Sequence, residues 1–543
     1  MKTKNTELKV IFVFIVLFFA IFLLFPAVKL ALMSFWHNSS FGVANYITVI
    51  TGKNFIQTLL NSINISLVSA VLSTFIAFIL AYTINYTNSN KYIKKVIGTI
   101  AVLPMFLPTI TYGFAIIYSF GKQGLVTKIL GRQLFDIYGY KGLLIGYLIY
   151  TIPISFMLIN NTMLYLDKKF MIVSRVMGDN KFNTLWMTIL RPLMGTFVCS
   201  VIQCFFLCFT DFGIPASVGG KFDVIASVLY ETMLGAIPDF NNGAVVAIIM
   251  LLPSVVSITG LNIIEKYNIR YSKISQVELT KSKTRDFVCS IVSILTVSAI
   301  IVIFGVIAFI PFVRGWPYDI TFTFDNVKNV FSDSNLISVF ENSVIAALFT
   351  AVFGTVTAYG AALITARSSL NEKVKKVIEG TAAATNTIPG MVLGIAFLLA
   401  FKGSILHNTF AVIIICNIVH FFSTPYLMMK NSLSKMNRSW EMTARLMGDN
   451  WMKTIIRIVT PNALTTLFEV LGYYFVNAMV TVSAVIFITS SRTMVITAKI
   501  KELQHFAKFN EIFVLSLLIL VTNLAAKFIF NYLANRRKKS NEN

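Results

Sequence analysis

Val173-Ser174-Arg175-Val176-Met177-Gly178-Asp179-Asn180 is answered by Thr443-Ala444-Arg445-Leu446-Met447-Gly448-Asp449-Asn450, with the last four residues identical in the two copies. Each copy lies on a charged stretch between long apolar segments, so the chain reads as two copies of one membrane unit. Further matches set the register. Asn61-Ser62 and Asn342-Ser343 each open an apolar run, and Pro108 and Gly113 match Pro389 and Gly394, in both cases 281 positions apart. The Met-Gly-Asp-Asn copies are only 270 apart. A shorter connector accounts for the difference: Gly121 to Tyr140 in the first copy is much longer than Lys402 to His407 in the second, an ordinary loop deletion between repeats. The repeat places a first unit over 1–270 (core 57–266), a linker over 271–287 and a second unit over 288–543 (core 338–535).

Composition sets the class. Of 543 residues, 56% are apolar and 13% charged, and runs of roughly 20 apolar residues recur along the chain, long enough to cross a bilayer as helix. The expectation is an all-α polytopic membrane protein with about twelve spans in two six-helix halves. They centre near residues 22, 73, 107, 151, 203, 252, 300, 354, 388, 419, 475 and 522. A β-barrel would show short alternating strands instead. Val10 to Leu32 is longer than the apolar core of a signal peptide and reads as the first span.

The net charge of +23 points to topology rather than to nucleic acid. Lys and Arg gather in alternate connectors, among them Lys91 to Lys95, Lys168 to Arg191, Lys266 to Arg285, Lys430 to Arg457 and the tail Arg536 to Lys539. The positive-inside rule puts both termini in the cytoplasm of a multi-pass cell membrane protein. The five cysteines (Cys199, Cys204, Cys208, Cys289, Cys416) fall in or beside apolar segments without metal-ligand spacing, and the four histidines are scattered. No nucleophile, metal or acid–base constellation points to an enzyme, and no cofactor is expected on this chain.

The paired loops carry the functional signal. Val173, Val176 and Met177, like Thr443, Leu446 and Met447, lie at i, i+3 and i+4 and give a short helix one stripe. Gly178 and Gly448 suit the left-handed residue that ends such a helix, and Asp179-Asn180 or Asp449-Asn450 suits the cap of the next. The product is an exposed helix on a bent stalk, suited to a groove on a cytoplasmic partner. A turn left over from duplication would be free to drift, whereas these four residues are the same twice.

A Gly followed 13 residues later by Pro, in the last cytoplasmic loop before the final two spans of a repeat, resembles the EAA loop of binding-protein-dependent ABC importer permeases. Gly448 to Pro461 has that spacing and Ile458 matches the family's Ile; Gly178 to Pro192 is one residue longer. At the Glu-Ala-Ala positions stand Met442-Thr443-Ala444 and Ile172-Val173-Ser174, so only Ala444 fits, and Glu441 lies one place early. The doubled layout is similar to the fused ferric-iron permeases and to 2-aminoethylphosphonate permeases. The resemblance implies the type I importer permease fold, two copies of a cytoplasmic ATPase docked on Val173, Arg175 to Asn180, Thr443 and Arg445 to Asn450, and a separate extracytoplasmic binding protein that carries much of the selectivity. The chain itself has no Walker A pattern: Gly52-Lys53, Gly121-Lys122 and Gly220-Lys221 are not followed by Ser or Thr, so ATP is expected to be used by the partner.

The pathway is expected to involve Asp211, near the outer end of the fifth span, where a buried charge is costly; a loop-edge role capping the Gly-Ile-Pro turn is the alternative. Pro108 and Pro389 are expected to kink or unwind the third and ninth spans, and Asn477 adds a polar group to the eleventh. An ion-coupled secondary transporter is also built from duplicated halves, but it would place several acids inside its spans. Ferric iron leads as substrate by resemblance, with 2-aminoethylphosphonate or polyamine as alternatives.

Overall fold

The computed structural model describes residues 6–37, 40–264, 282–368, 370–437 and 439–542; most of the expected linker 271–287 lies outside the described residues. Among the described residues nine helices are long and apolar enough to cross a membrane, and three sharply bent helix pairs bring the total to as many as twelve.

The first-half helices are α1 (Glu7–Ser34), α2 (Phe55–Tyr86), α3 (Lys91–Ile100), α4 (Thr109–Phe120), α5 (Tyr140–Leu164), α6 (Lys169–Val176), α7 (Lys181–Thr210), α8 (Gly213–Val218), α9 (Ile225–Leu234) and α10 (Phe240–Ile264). The second half runs α11 (Lys283–Phe309), α12 (Ser334–Arg367), α13 (Glu372–Thr387), α14 (Gly390–Phe401), α15 (Phe410–His420), α16 (Ser423–Lys435), α17 (Ser439–Leu446), α18 (Trp451–Val480), α19 (Ile496–His505) and α20 (Phe509–Glu542). Short antiparallel ribbons, Trp36–His37 with Ser40–Phe41 and Val313–Gly315 with Asp319–Phe322, follow the first span of each half.

Contacts divide the chain into two compact units. One holds Thr48–Pro238 and Leu252–Asn326; the other holds Met1–Ile47, Asp239–Leu251 and Val327–Asn543. The units therefore differ from the halves of the repeat in their leading helices and in Asp239–Leu251, which spans the first part of α10 and groups with the second-half helices. In the second unit, α1 lies on α12 and α14 and buries Leu8, Ile15, Phe19 and Leu23, a helical stripe that seats Phe19 against Phe422 at 4.5 Å between ring centroids. In the first unit, α11 packs on α2, α3 and α4, and Ser293 reaches Thr83 at 2.8 Å.

Two local rules shape the helices. Asn90 and Asn371, 281 positions apart, cap α3 and α13 by accepting the backbone N–H of Tyr92 and Lys373 at 2.9 and 3.1 Å. Each π-helical turn among the described residues, Ala20–Leu24, Trp186–Leu190 and Ile455–Val459, ends two positions before a proline: Pro26, Pro192 or Pro461. A proline within a helix lacks a donor and its ring strikes a carbonyl one turn back, and widening that turn relieves the clash without ending the helix.

Packing within the units is polar in one place and flush in another. Ser73 meets Thr151 at 2.6 Å, Thr74 meets Ser200 at 2.9 Å, and Ser155 bridges Ser200 and Cys204 at 2.7 and 2.9 Å. These contacts tie α2, α5 and α7 by hydrogen bonds, each on the order of 0.6 kcal/mol in a membrane interior. Cys204, which spacing suggests is an apolar filler, is thus part of a hydroxyl network. In the second unit Tyr474 of α18 lies flat on α12 at Gly354, where a Cβ would sit 2.7 Å from the ring.

Candidate functional site

The two loops singled out in the sequence fold alike. α6 ends in a left-handed glycine, Gly178 at φ +87°, and α17 in Gly448 at φ +82°. Asp179 N–H donates to the Ser174 carbonyl at 3.1 Å and Gly178 N–H to the Arg175 carbonyl at 3.0 Å; Asp449 N–H donates to Ala444 at 2.9 Å. This pattern closes the last carbonyls of a helix through a residue that only glycine adopts without strain. Asn180 then caps α7 by accepting from the Asn183 N–H at 2.8 Å, and Asn450 caps α18 from the Lys453 N–H at 2.9 Å. Asp179 accepts the Ser174 hydroxyl at 2.6 Å, whereas Asp449 pairs with Lys453.

The outer faces are apolar and open. Val176, Met177, Leu446 and Met447 are each about four-fifths exposed (83, 79, 88 and 79%), and Val173, Met442, Thr443 and Arg175 are exposed as well. The Arg445 side chain lies outside the described residues. An aliphatic face at this exposure on a short helix is unusual for a solvated loop and suits burial by a partner. The inner face explains a sequence pattern: Ser174 and Ala444, at the last position of the Glu-Ala-Ala triplet, are both buried beneath the turn, where a small side chain is needed. From each glycine the chain passes through one short helix and a π turn to its proline, so the Gly-to-Pro spacing measures the stalk that carries the exposed helix back to the membrane.

Of the four residues expected along the pathway, the two prolines fall at matched corners. Pro108 and Pro389 stand between helices bent by 115° and 105°, each in extended backbone immediately before α4 or α14. The corner is sharper than the expected kink because the proline interrupts the hydrogen-bond ladder where a new helix starts. Asp211 is buried and accepts the Ile214 N–H at 2.9 Å, capping α8. Asn477 donates to the Tyr473 carbonyl one turn back in its own helix at 2.8 Å.

Ser62 and Ser343, matched 281 positions apart, also have a structural task. Ser62 accepts the N–H of Ile225 and Ser343 the N–H of Ile496, both at 2.7 Å; these are the first residues of α9 and α19. Asn61 and Asn342 add side-chain bonds to the Asp223 and Met494 carbonyls, both at 3.3 Å. Their recurrence 281 positions apart was a signal, but the partner lies more than 150 positions away in each case. Ser62→Ala or Ser343→Ala leaves a buried N–H unpaired and is expected to cost about 1–3 kcal/mol, read as a lower thermal transition of the detergent-purified chain.

The family profile of the binding-protein-dependent transport system inner membrane component matches residues 73–267 and again 358–539. The chain belongs to that family. Both copies of the exposed stalk fall inside the matched segments, and the permease is thus a fused double repeat with many membrane-spanning helices. It is 24% identical to the ferric transport system permease protein FbpB of Actinobacillus pleuropneumoniae over 96% of this chain and 77% of the relative. A second FbpB-type ferric transport permease, from Haemophilus influenzae, is 25% identical over 89% of this chain and 78% of its own length. A spermidine/putrescine transport permease PotC homolog of Mycoplasma pneumoniae matches 34% of the chain at 24% identity.

Proposed function

We propose that the permease is the membrane subunit of an ATP-driven importer and that α6 and α17 are its two docking helices, each received by one of two copies of a cytoplasmic ATPase. The observation that carries this reading is the twofold occurrence of an apolar, exposed helix ended by a left-handed glycine and returned to the membrane through a capped stalk. ATP binding draws the two ATPases together, moves both stalks and switches the pathway between outward and inward access, while the hydrolytic chemistry stays on the partner. Both termini lie in the cytoplasm, as the distribution of Lys and Arg requires, and an extracytoplasmic binding protein delivers the solute.

Ferric iron is the proposed cargo, supported by likeness to two ferric permeases over most of the chain. Polyamine is the alternative, supported by the shorter match to a spermidine/putrescine permease, and 2-aminoethylphosphonate rests on resemblance of layout. Affinity purification of the tagged chain from its native membrane tests the reading. Recovery of an ATPase at two copies per chain, with a binding protein whose ligand is then identified, is the expected result. A chain recovered alone and active in liposomes under an ion gradient without ATP would make it a secondary transporter.

Asp211, Pro108, Pro389 and Asn477 are proposed to border the pathway. Asp211→Asn keeps an oxygen for the Ile214 N–H but removes the charge, so uptake is expected to fall with assembly intact. Asp211→Ala loses the cap too, at about 1 kcal/mol. Unchanged uptake in the Asn variant would leave Asp211 with the cap alone.

A further inference from the structure

We propose that Arg367 is a positioning residue that locks the second docking helix to the membrane core, making α17 a stiff lever and leaving α6 the compliant one. Arg367 is the last residue of α12, and its side chain is fully buried. Its Nε and Nη2 donate to the two carboxylate oxygens of Glu441, in the first turn of α17, both at 2.6 Å. The rest of the guanidinium binds main chain: Nη1 donates to the Met436 and Leu433 carbonyls at 2.8 and 3.4 Å, and Nη2 to the Asn437 carbonyl at 2.9 Å. One side chain therefore joins the end of a 34-residue core helix, the C-terminal end of α16 and the start of the docking helix.

The planar fork is what permits this. A bidentate guanidinium fixes direction as well as distance, which the point charge of a lysine does not. A buried ion pair is weak evidence for stability, since well-packed apolar residues often do as well; its distinct contribution here is a defined angle between α17 and α12. A second brace acts on the same stalk, where Glu7 of α1 accepts the Met452 N–H at 3.2 Å in the first turn of α18.

The first half has no such lock at the matched positions. By the two register offsets, Tyr86 stands for Arg367 and Met171 for Glu441. Tyr86 ends α2 with the Lys168 Nζ 5.4 Å from its ring centroid, a contact that tolerates sliding and binds no carbonyl. Duplicated halves that docked on identical ATPase subunits would thus pass motion to their core helices unequally at these matched positions: α17 through a two-oxygen clamp, α6 through a cation–ring contact.

The inference rests on the docking reading above, and its test separates the two. Hydrogen exchange of the full chain in nanodiscs, and of the chain with its co-purified ATPase, is compared among wild type, Arg367→Lys and Glu441→Gln, together with uptake per ATP hydrolysed. In the wild type the amides of 440–447 are expected to exchange about tenfold more slowly than those of 170–177. Either variant should remove that difference by loosening the second stalk alone and should lower uptake per ATP by about fivefold or more, with the ATPase still bound. If Arg367→Lys does not fold, Glu441→Gln, which keeps the side-chain shape, decides. Equal exchange of the two stalks in the wild type, or normal uptake per ATP in a loosened variant, would overturn the proposal. A wild-type chain that binds no ATPase yet keeps the exchange contrast would overturn the docking reading, and the lever with it.

Discussion

Replacing Gly178 and Gly448 together with Val is expected to abolish coupled uptake while the chain still inserts and folds. Both glycines hold positive φ, and a Cβ added at either would meet nothing within 4 Å. Space is therefore not the obstacle; backbone conformation is. A non-glycine residue in the left-handed region costs roughly 1–2 kcal/mol, more when it is β-branched. With both stalks affected, the fraction of molecules presenting two correctly ended helices falls on the order of 30-fold or more. Asn tolerates this region, so the double Asn variant should keep most activity. ATPase stimulation and uptake measured side by side in proteoliposomes give the answer. Normal coupling in the Val variant would show that the docking model assigns these turns the wrong task, and equal loss in the Asn variant would point to size rather than conformation.

Gly394→Ala, and separately Gly113→Ala, should destabilise the folded permease. These glycines sit five residues beyond Pro389 and Pro108. A Cβ on Gly394 would overlap the Ala484 carbonyl oxygen, and one on Gly113 would overlap the Ser217 side chain of α8. Neither obstacle yields by rotation of a long side chain: Ala484 presents main chain, and at Ser217 the overlap includes Cβ. Backbone must shift in a packed interior, which costs about 1–3 kcal/mol per site. The expected result is a lower thermal transition and less monodisperse protein on size exclusion, with Gly305→Ala, which meets open space, as the unaffected control. A Gly394→Ala chain as stable as wild type would mean that α14 and the segment after α18 do not approach this closely.

Much of each Met-Gly-Asp-Asn loop is legible in sequence because its parts are local. Met-Gly-Asp-Asn specifies a helix end, a left-handed turn and a new cap within four residues, and Asn180 and Asn450 make the capping bonds that their position suggests. Pro192, Pro461, Pro108 and Pro389 are equally local in effect, the first two following a π turn and the last two standing at a corner. The EAA-like triplet shows where such reading stops. Ala444 matches the family by spacing, but only the fold shows that it and Ser174 are buried on helices whose outer faces are open. Glu441 looked merely misplaced by one position; it is turned to Arg367, 74 residues earlier in the chain.

The sequence by itself determined the class, the duplication, the number of apolar segments and the ends of the short helices. Each of these follows from hydrophobic length, positive-inside charge or turn chemistry read within a few residues. Tertiary structure alone decided which helix each span packs against. The placement of α1 with the second-half helices and of α11 with those of the first, the bonds from Ser62 and Ser343 to helix starts more than 150 positions away, and the Arg367–Glu441 clamp all join residues far apart in the chain. Apolar spans of similar length and composition are interchangeable to a lipid solvent. Only close packing and buried hydrogen bonds distinguish one neighbour from another, and those depend on side chains that meet after the chain has folded.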